Sequence, residues 1–454
     1  MSTKPNIIWI FSDQQPAHSL GCNGDANART PNLDRMAASG WNFDNAVAGF
    51  PLCCPFRGSL LTGRYPQHCV PGHEFPLPPE MPTAADLFND AGYDTAYFGK
   101  WHLDGKHEWQ NPRVAKIEIP FERRGRFKRW IGYENNNMQY DCHVHGHLDA
   151  RTPFPMRKLP GYETDELASM LVEYLDEQRG ARRDECQPFF AVLSVQPPHN
   201  PYIAPPEFAA RYSPDSIALR PNVAHNPAVE NIARRDLAGM YAMIENLDAN
   251  VGRVLDALRR NNLEDDTWVF YFSDHGDMHG SHGLFKKVMP YQEATRIPFI
   301  VFNNAAYRST NHLAHDRVPH PLNTVDILPT TLGLAGIDAP AFLEGFDFSP
   351  LFRRQPLASA PPASAYLQNV VPTGHPDSAD RQYRGVLTAD NWKYVCTEEG
   401  DWLLFNLNDD PYEECNLAFN TKAARKREEL RQLTRDWIER TNDGGFRFPY
   451  PEQK

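Results

Sequence analysis

No stretch of this chain approaches the roughly 20 consecutive apolar residues that a bilayer-spanning helix needs, so a soluble protein without a membrane partner is expected. Basic charge is not in excess either. Against 58 Asp and Glu there are 46 Lys and Arg, and the resulting net charge of −12 argues against a nucleic-acid partner. There is no CxxC pair and no dense cysteine framework. The eight cysteines, Cys22, Cys53, Cys54, Cys69, Cys142, Cys186, Cys396 and Cys415, are scattered over 454 residues and read as reduced thiols. The opening MSTKPNIIWIF lacks a small-residue cleavage site and reads as a first strand, not a signal peptide. A cytoplasmic location is therefore expected, or a periplasmic or secreted one if a leader was removed. No internal repeat is visible.

What the chain does contain is a set of short apolar runs separated by helical patterns: Asn6–Phe11, Thr95–Phe98, Phe189–Val195, Trp268–Phe272 and Ile297–Phe302. That alternation predicts an α/β domain on a mainly parallel sheet flanked by helices. Leu237, Met240, Tyr241, Ile244, Leu247, Val251, Leu255 and Leu258 recur at spacings of three and four, the stripe of a core-facing helix. The forty prolines fall between the periodic segments and imply long, stiff loops. Near PLASAPPASA (Pro356–Ala365) the composition turns to Pro, Ala and Ser, as in a linker or crossing loop. Beyond it, YRGVLTADNWKYV and DWLLFNL read as antiparallel strands, and Arg425–Arg440 as an amphipathic helix. The expected division is a catalytic domain over 1–364 and a small α+β subdomain over 365–454.

Two of the apolar runs end alike, the first in Ser12-Asp13-Gln14 and the other in Ser273-Asp274-His275. In open parallel sheets, ligands gather at the carboxyl ends of the strands, so these tips are placed to share a cation. Asp13, Gln14 and Asp274 offer oxygen and His275 offers nitrogen, a set for a hard or borderline divalent ion. Either aspartate alone is equally a cap for the element that follows it. Lys100 and His102, two apart on an extended reading, point the same way. His199 follows the third run, and Lys286 and Lys287 follow the second carboxylate pair. Singly these are surface or satisfied core residues; together they describe a pocket for a tetrahedral oxyanion.

The stretch FPLCCPFRGSLLTGR places Cys53 and Cys54 at the mouth of a short helix, with Pro55 in its first turn and Gly63 at its end. There the unpaired N–H groups favour an anion. Cys53-Cys54-Pro55-Phe56-Arg57, continued as GSLLTGR, is similar to the C-x-P-x-R…LTGR signature of the type I sulfatases of the alkaline-phosphatase-like superfamily. The blocks PNIIWIFSDQQ, TPNLDRMAASG, GYDTAYFGKWHL, QPPHNPY, YAMIENLDANVGRVLDAL, SDHGDMHGSHGLFKK and DWLLFNLNDDPYEECNL resemble the family in family order.

The resemblance implies a sulfuric ester hydrolase in which a maturation enzyme oxidises Cys53 to Cα-formylglycine. Register selects Cys53, since only it has proline two and arginine four residues on; Cys54 takes the variable position as a small core or pocket-lining residue. One divalent ion, calcium first and manganese second, would sit on Asp13, Gln14, residue 53, Asp274 and His275. The resemblance gives Arg57 the charged diol, Lys100 and Lys287 the sulfate oxygens, His199 the leaving alcohol, and His102 the proton whose removal regenerates the aldehyde. Lys287 is preferred to Lys286 by register. The substrate would be a small-molecule or saccharide sulfate ester. Many sulfatases carry Asp-Asp and Asp-Asn where this chain has Asp13-Gln14 and Asp274-His275, a combination found in the related phosphonate monoester hydrolases and phosphodiesterases; such a hydrolase is the alternative. The alternating histidines of Asn135–His147 and the Arg123–Arg129 cluster are candidates for sugar subsites.

Overall fold

A computed structural model describes residues 4–105, 114–181, 187–309, 316–374 and 381–450. Cys186 lies outside the described residues; the other seven cysteines are unpaired thiols. Strands in the first three quarters of the chain are β1 (Asn6–Ser12), β2 (Trp41–Phe43), β3 (Ala46–Val47), β4 (Asp94–Lys100), β5 (Arg129–Tyr133), β6 (His143–Asp149), β7 (Thr152–Lys158), β8 (Phe189–Ser194), β9 (Thr267–Ser273), β10 (Phe299–Phe302), β11 (Asp316–Val318) and β12 (Leu322–Asn323). Ten of them form one sheet in the order β11-β2-β10-β9-β1-β8-β4-β5-β6-β7, and β12 pairs with β3 apart from it. The centre, β9-β1-β8-β4-β5, is parallel; β10 runs antiparallel to β9, and β6 and β7 extend the other edge as antiparallel strands.

All seven residues of β1 are buried, because the sheet is covered on both faces and a doubly buried strand needs an unbroken apolar run. Ile7, Trp9 and Phe11 point into one core layer with Phe56 and Leu60 of the Cys53–Thr62 helix. Ile8 and Ile10 point into the other, with the buried stripe of the Pro227–Arg260 helix. That helix is capped by Asn226, whose side chain accepts the Ala228 N–H, and Pro227 occupies its first turn.

The C-terminal part forms a four-stranded antiparallel sheet, β13 (Ser364–Asn369), β14 (Tyr383–Thr388), β15 (Trp392–Thr397) and β16 (Gly400–Asn406), in sequence order. The Ala424–Arg440 helix packs on it through Leu430 and Trp437, whose indole N–H donates to Ser364 Oγ at 2.8 Å. The sheet is tied to the preceding part of the chain by polar contacts: the Gln368 backbone N–H donates to Gly49 O, and Asn323 Nδ2 of β12 to Tyr366 O, both at 2.8 Å. No helix among the described residues is long and apolar enough to cross a membrane.

Candidate active site

The two strands that end in Ser-Asp lie side by side in parallel register, Ser12 against Ser273. Asp13 and Asp274 therefore leave the sheet at one point, and both are fully buried. The Cys53–Thr62 helix brings its first residue to the same point. Its N-cap, Leu52, is extended and makes no side-chain cap, and Gly63 closes the far end in the left-handed conformation at φ 63°. Cys53 Sγ lies 3.2 Å from His275 Nε2 and 3.6 Å from Asp13 Oδ1. Donor atoms of Asp13, Cys53, Asp274 and His275 fall within 4.8 Å of one another.

This donor set fits a divalent cation. His275 Nδ1 lies 2.9 Å from Gly276 O and donates to it, which leaves the Nε2 lone pair facing Asp13 and Asp274, 3.7 and 3.6 Å away. Anchoring one ring nitrogen on a carbonyl so that the other can ligate is the usual outer support of a metal histidine. Gln14, at φ 66°, donates its backbone N–H to Asp274 Oδ1 at 3.0 Å.

Three buried cations surround the carboxylates. Lys100 Nζ donates to Asp13 Oδ2 at 2.7 Å. One Arg57 amino group reaches both Asp13 and Asp274 at 3.2 Å, and the other donates to Lys100 O and Ser194 Oγ. Arg57 was expected on the nucleophile; its hydrogen bonds instead clamp the two carboxylates. Burial pushes the Asp13 carboxyl up, but Lys100, His199, Arg57 and Lys287 outweigh it and hold its pKa well below the usual range. Burial also pulls Lys100 down, and Asp13 and Cys53 more than reverse it. Lys100, Arg57 and Lys287 thus set three cations beside Asp13 and Asp274, a local balance that suits an anionic substrate.

Lys287 completes the group: its Nζ is 2.9 Å from His199 Nε2, 3.0 Å from Gln14 Oε1 and 3.5 Å from Cys53 Sγ. Its neighbour Lys286 sends its ammonium over the Tyr202 ring. His199 Nδ1 donates to Asn200 O at 2.7 Å, so Nε2 accepts from Lys287. Burial and then Lys287 keep the imidazole well below its ordinary pKa. Sequence reasoning missed Asp277, whose Oδ2 accepts from Gln14 Nε2 at 2.6 Å and from Tyr202 OH at 2.9 Å. That contact turns the Gln14 oxygen toward Lys287. Its only sequence signal is its place two residues after His275.

His102 reaches the site differently from the extended reading. β4 stops at Lys100, the Trp101 N–H donates to Tyr133 O, and His102 takes a left-handed φ of 55°. Buried Glu134 fixes this turn by accepting the Leu103 and Asp104 N–H groups. Burial, followed by Asp104, raises the Glu134 carboxyl to about 8. His102 is 2% exposed and neither ring nitrogen has a hydrogen-bond partner. Burial, then Lys100, His73 and Arg57, hold it neutral.

Glu163, also missed, supports this wall from below, with both bonds on one oxygen: Oε1 accepts from Tyr133 OH and, at 2.9 Å, from Gln196 N. Burial raises its pKa to about 7 from an ordinary 4.5, so its protonated form contributes stability present below about pH 4.5 and lost as pH rises through 7. Glu163→Gln keeps both acceptor bonds. It is expected to remove roughly 2–3 kcal/mol of this pH dependence, read as urea midpoints of the two proteins at pH 5 and pH 8.

The histidine run and the basic cluster serve the edge of the sheet. His145 Nε2 accepts the Ile119 N–H at 2.7 Å, and His147 Nε2 donates to Phe127 O at 2.9 Å. Both line a cavity of about 270 Å³ together with Phe121 and Arg124. Arg123 pairs with Asp104, Arg126 with Asp86 and Arg129 with Glu177, while Arg124 bonds Ile119 O and His147. The cluster is thus distributed over separate local partners and forms no single anion-binding patch.

The arrangement matches known proteins along nearly the whole chain. The Sulfatase family model covers residues 5–337, and a second, the C-terminal part of N-sulphoglucosamine sulphohydrolase, covers residues 280–439. An ulvan-active sulfatase of Formosa agariphila is 36% identical over 91% of this chain and 77% of its own length. An endo-4-O-sulfatase of Bacteroides thetaiotaomicron is 30% identical over 95% of this chain and 91% of its own. A solved sulfatase structure from Bacteroides fragilis superposes with a TM-score of 0.83 at 27% identity, covering 99% of both chains. Strand tips, cysteine helix and sequence likeness agree: the chain belongs to the sulfatase family of the alkaline-phosphatase-like superfamily.

Proposed function

We propose that this protein is a sulfuric ester hydrolase that releases inorganic sulfate from a carbohydrate sulfate ester. The observation that carries the reading is the seat of Cys53, at a buried helix N-terminus with Asp13, His275 and Lys287 around its sulfur. A maturation enzyme, as a transient partner, converts Cys53 to formylglycine, whose hydrate carries the attacking oxygen. A divalent ion on Asp13, Gln14, residue 53, Asp274 and His275, calcium first and manganese second, supplies Lewis acidity and charge neutralisation. Lys100 and Lys287 hold the sulfuryl oxygens. Arg57 fixes both carboxylates and, through its charge, the oxyanion at residue 53. His199 protonates the leaving oxygen, and His102 receives the proton whose loss lets the aldehyde re-form. The catalytic unit spans 1–364 and the C-terminal subdomain 365–454, a division supported by the start of β13 at Ser364. The saccharide class is supported by the names of the ulvan-active and endo-4-O relatives.

The test is sulfate release, followed by ion chromatography, from sulfated oligosaccharides beside turnover of an aryl phosphonate monoester. Dominant sulfate release is expected. Faster phosphonate cleavage would favour the alternative that Gln14 and His275 suggest, a phosphonate monoester hydrolase or phosphodiesterase. Chelation is expected to abolish turnover and to lower the melting temperature. Readdition of calcium or manganese at about 100 times its Kd would restore roughly 2.7 kcal/mol of stability. Unchanged melting and activity after exhaustive chelation would remove the metal from the scheme.

A further inference from the structure

Cys54 stands at the position that the family signature leaves open, and its sulfur is not among the donors of the carboxylate cluster. Its sulfur is fully buried and accepts the Glu74 N–H at 3.2 Å. Glu74 is held at a left-handed φ of 55°, in the loop that also carries His73. The His73 and His102 rings meet edge to face, their centroids 5.8 Å apart at 89°. Cys54 Sγ and one ring nitrogen from each histidine lie within 4.8 Å of one another.

Two independent features make this more than a chance meeting of soft side chains. His102 is buried with both ring nitrogens unsatisfied, an unfavourable state for a buried polar side chain unless a ligand relieves it. The donor set also differs in kind from the Asp13 cluster and shares no residue with it. One thiolate and two imidazoles select a borderline or soft ion, where carboxylates select calcium. A tetrahedral zinc ion with bonds of ~2.0–2.3 Å needs its ligands roughly 3.3–3.6 Å apart, so small side-chain rotations close the site. His73 is partly exposed, which gives a hydrated ion a route in.

We infer that Cys54, His73 and His102 form a second metal site, selective for zinc or a similar thiophilic divalent ion, whose occupation switches the hydrolase off. Binding displaces the Cys54 thiol proton to solvent, forms one sulfur–metal and two nitrogen–metal bonds, and leaves a fourth position for water. With its lone pair committed to the metal, His102 has no acceptor for the proton of the second half-reaction. Only this inhibitory consequence rests on the proposed sulfatase chemistry; the site itself does not.

The experiment uses calcium-saturated, converted enzyme and adds cobalt(II) as a spectroscopic stand-in. Conversion has removed the Cys53 thiol, so a thiolate-to-cobalt charge-transfer band reports another sulfur. One equivalent of cobalt is expected to produce the band. Cys54→Ser, whose hydroxyl can still accept the Glu74 N–H, is expected to lose it, and His73→Ala to weaken binding about 10- to 100-fold. Zinc should inhibit the wild type, and the same inhibition of Cys54→Ser should need at least about 10-fold more zinc at unchanged basal turnover. A band that persists in Cys54→Ser or no band in the wild type would overturn the site, and equal zinc inhibition of the two proteins would overturn its inhibitory role. If the band behaves as expected while no ester is turned over, the hydrolase reading fails and the metal site stands.

Discussion

Alanine in place of Cys53 is expected to reduce sulfate release by ~10⁴-fold or more, the usual size of losing a covalent nucleophile. The fold should persist, because only one sulfur is removed and no backbone bond depends on it. Melting temperature and far-ultraviolet circular dichroism should stay close to those of the parent. Asp13, Gln14, Asp274 and His275 remain, so a divalent ion should still bind, with reduced affinity. Mass spectrometry of the tryptic peptide Met36–Arg57 gives the complementary reading in the parent: sulfur replaced by a carbonyl oxygen at residue 53. Cys54→Ala is the control and should retain turnover. Residual activity in Cys53→Ala within about 10-fold of the parent would place the nucleophile elsewhere.

The second large effect is expected at His199, and it depends on the leaving group. For a sugar sulfate, whose alcohol departs poorly unless protonated, His199→Asn should lower kcat by about 10²–10⁴-fold. For an aryl sulfate with an acidic phenol the same change should cost less than about 10-fold, since that oxygen departs as an anion. In the free protein the imidazole is neutral, held down by burial and then by Lys287. An arriving sulfate sets its negative charge against Lys287 and Lys100 and lifts the His199 pKa, so the acid forms when substrate is bound. The sign follows: activity on sugar sulfates is present while His199 is protonated and falls as pH rises through its value in the complex. In His199→Asn that alkaline limb should disappear. Equal losses on both substrates, with the limb retained, would reassign the acid.

Much of this site is legible in the sequence, for a local reason. Each apolar run that becomes β1 or β9 ends in the same Ser-Asp pair, and a buried parallel strand has one end at which ligands can collect. The direction of β10 is not legible, because an apolar run carries no arrow. β13 is hidden by the Pro, Ala and Ser residues that precede it. Lys286 and Lys287 are chemically identical neighbours, and only the local backbone, with Lys286 at a left-handed φ of 66°, accompanies the divergence that takes Lys287 to Cys53 and Lys286 to Tyr202. Lys100 and His102 come together through a turn held by Glu134, a partner some thirty residues away. Asp277, Glu163 and His73 act through contacts that span from tens to hundreds of residues, and no periodicity encodes those.

The register of β1 against β8 and β9 has a consequence during synthesis. Residue 53 leaves the ribosome long before residue 273, and at about 5–20 residues per second that interval lasts roughly 10–40 s. Until β9 arrives, the strand that carries Asp13 lacks one of its two neighbours, and the pocket around Cys53 has no floor. Afterwards the sulfur is 2% exposed and walled in by ion pairs. A maturation enzyme acting on Cys53 would therefore have a window that opens with the nascent chain and closes with the sheet.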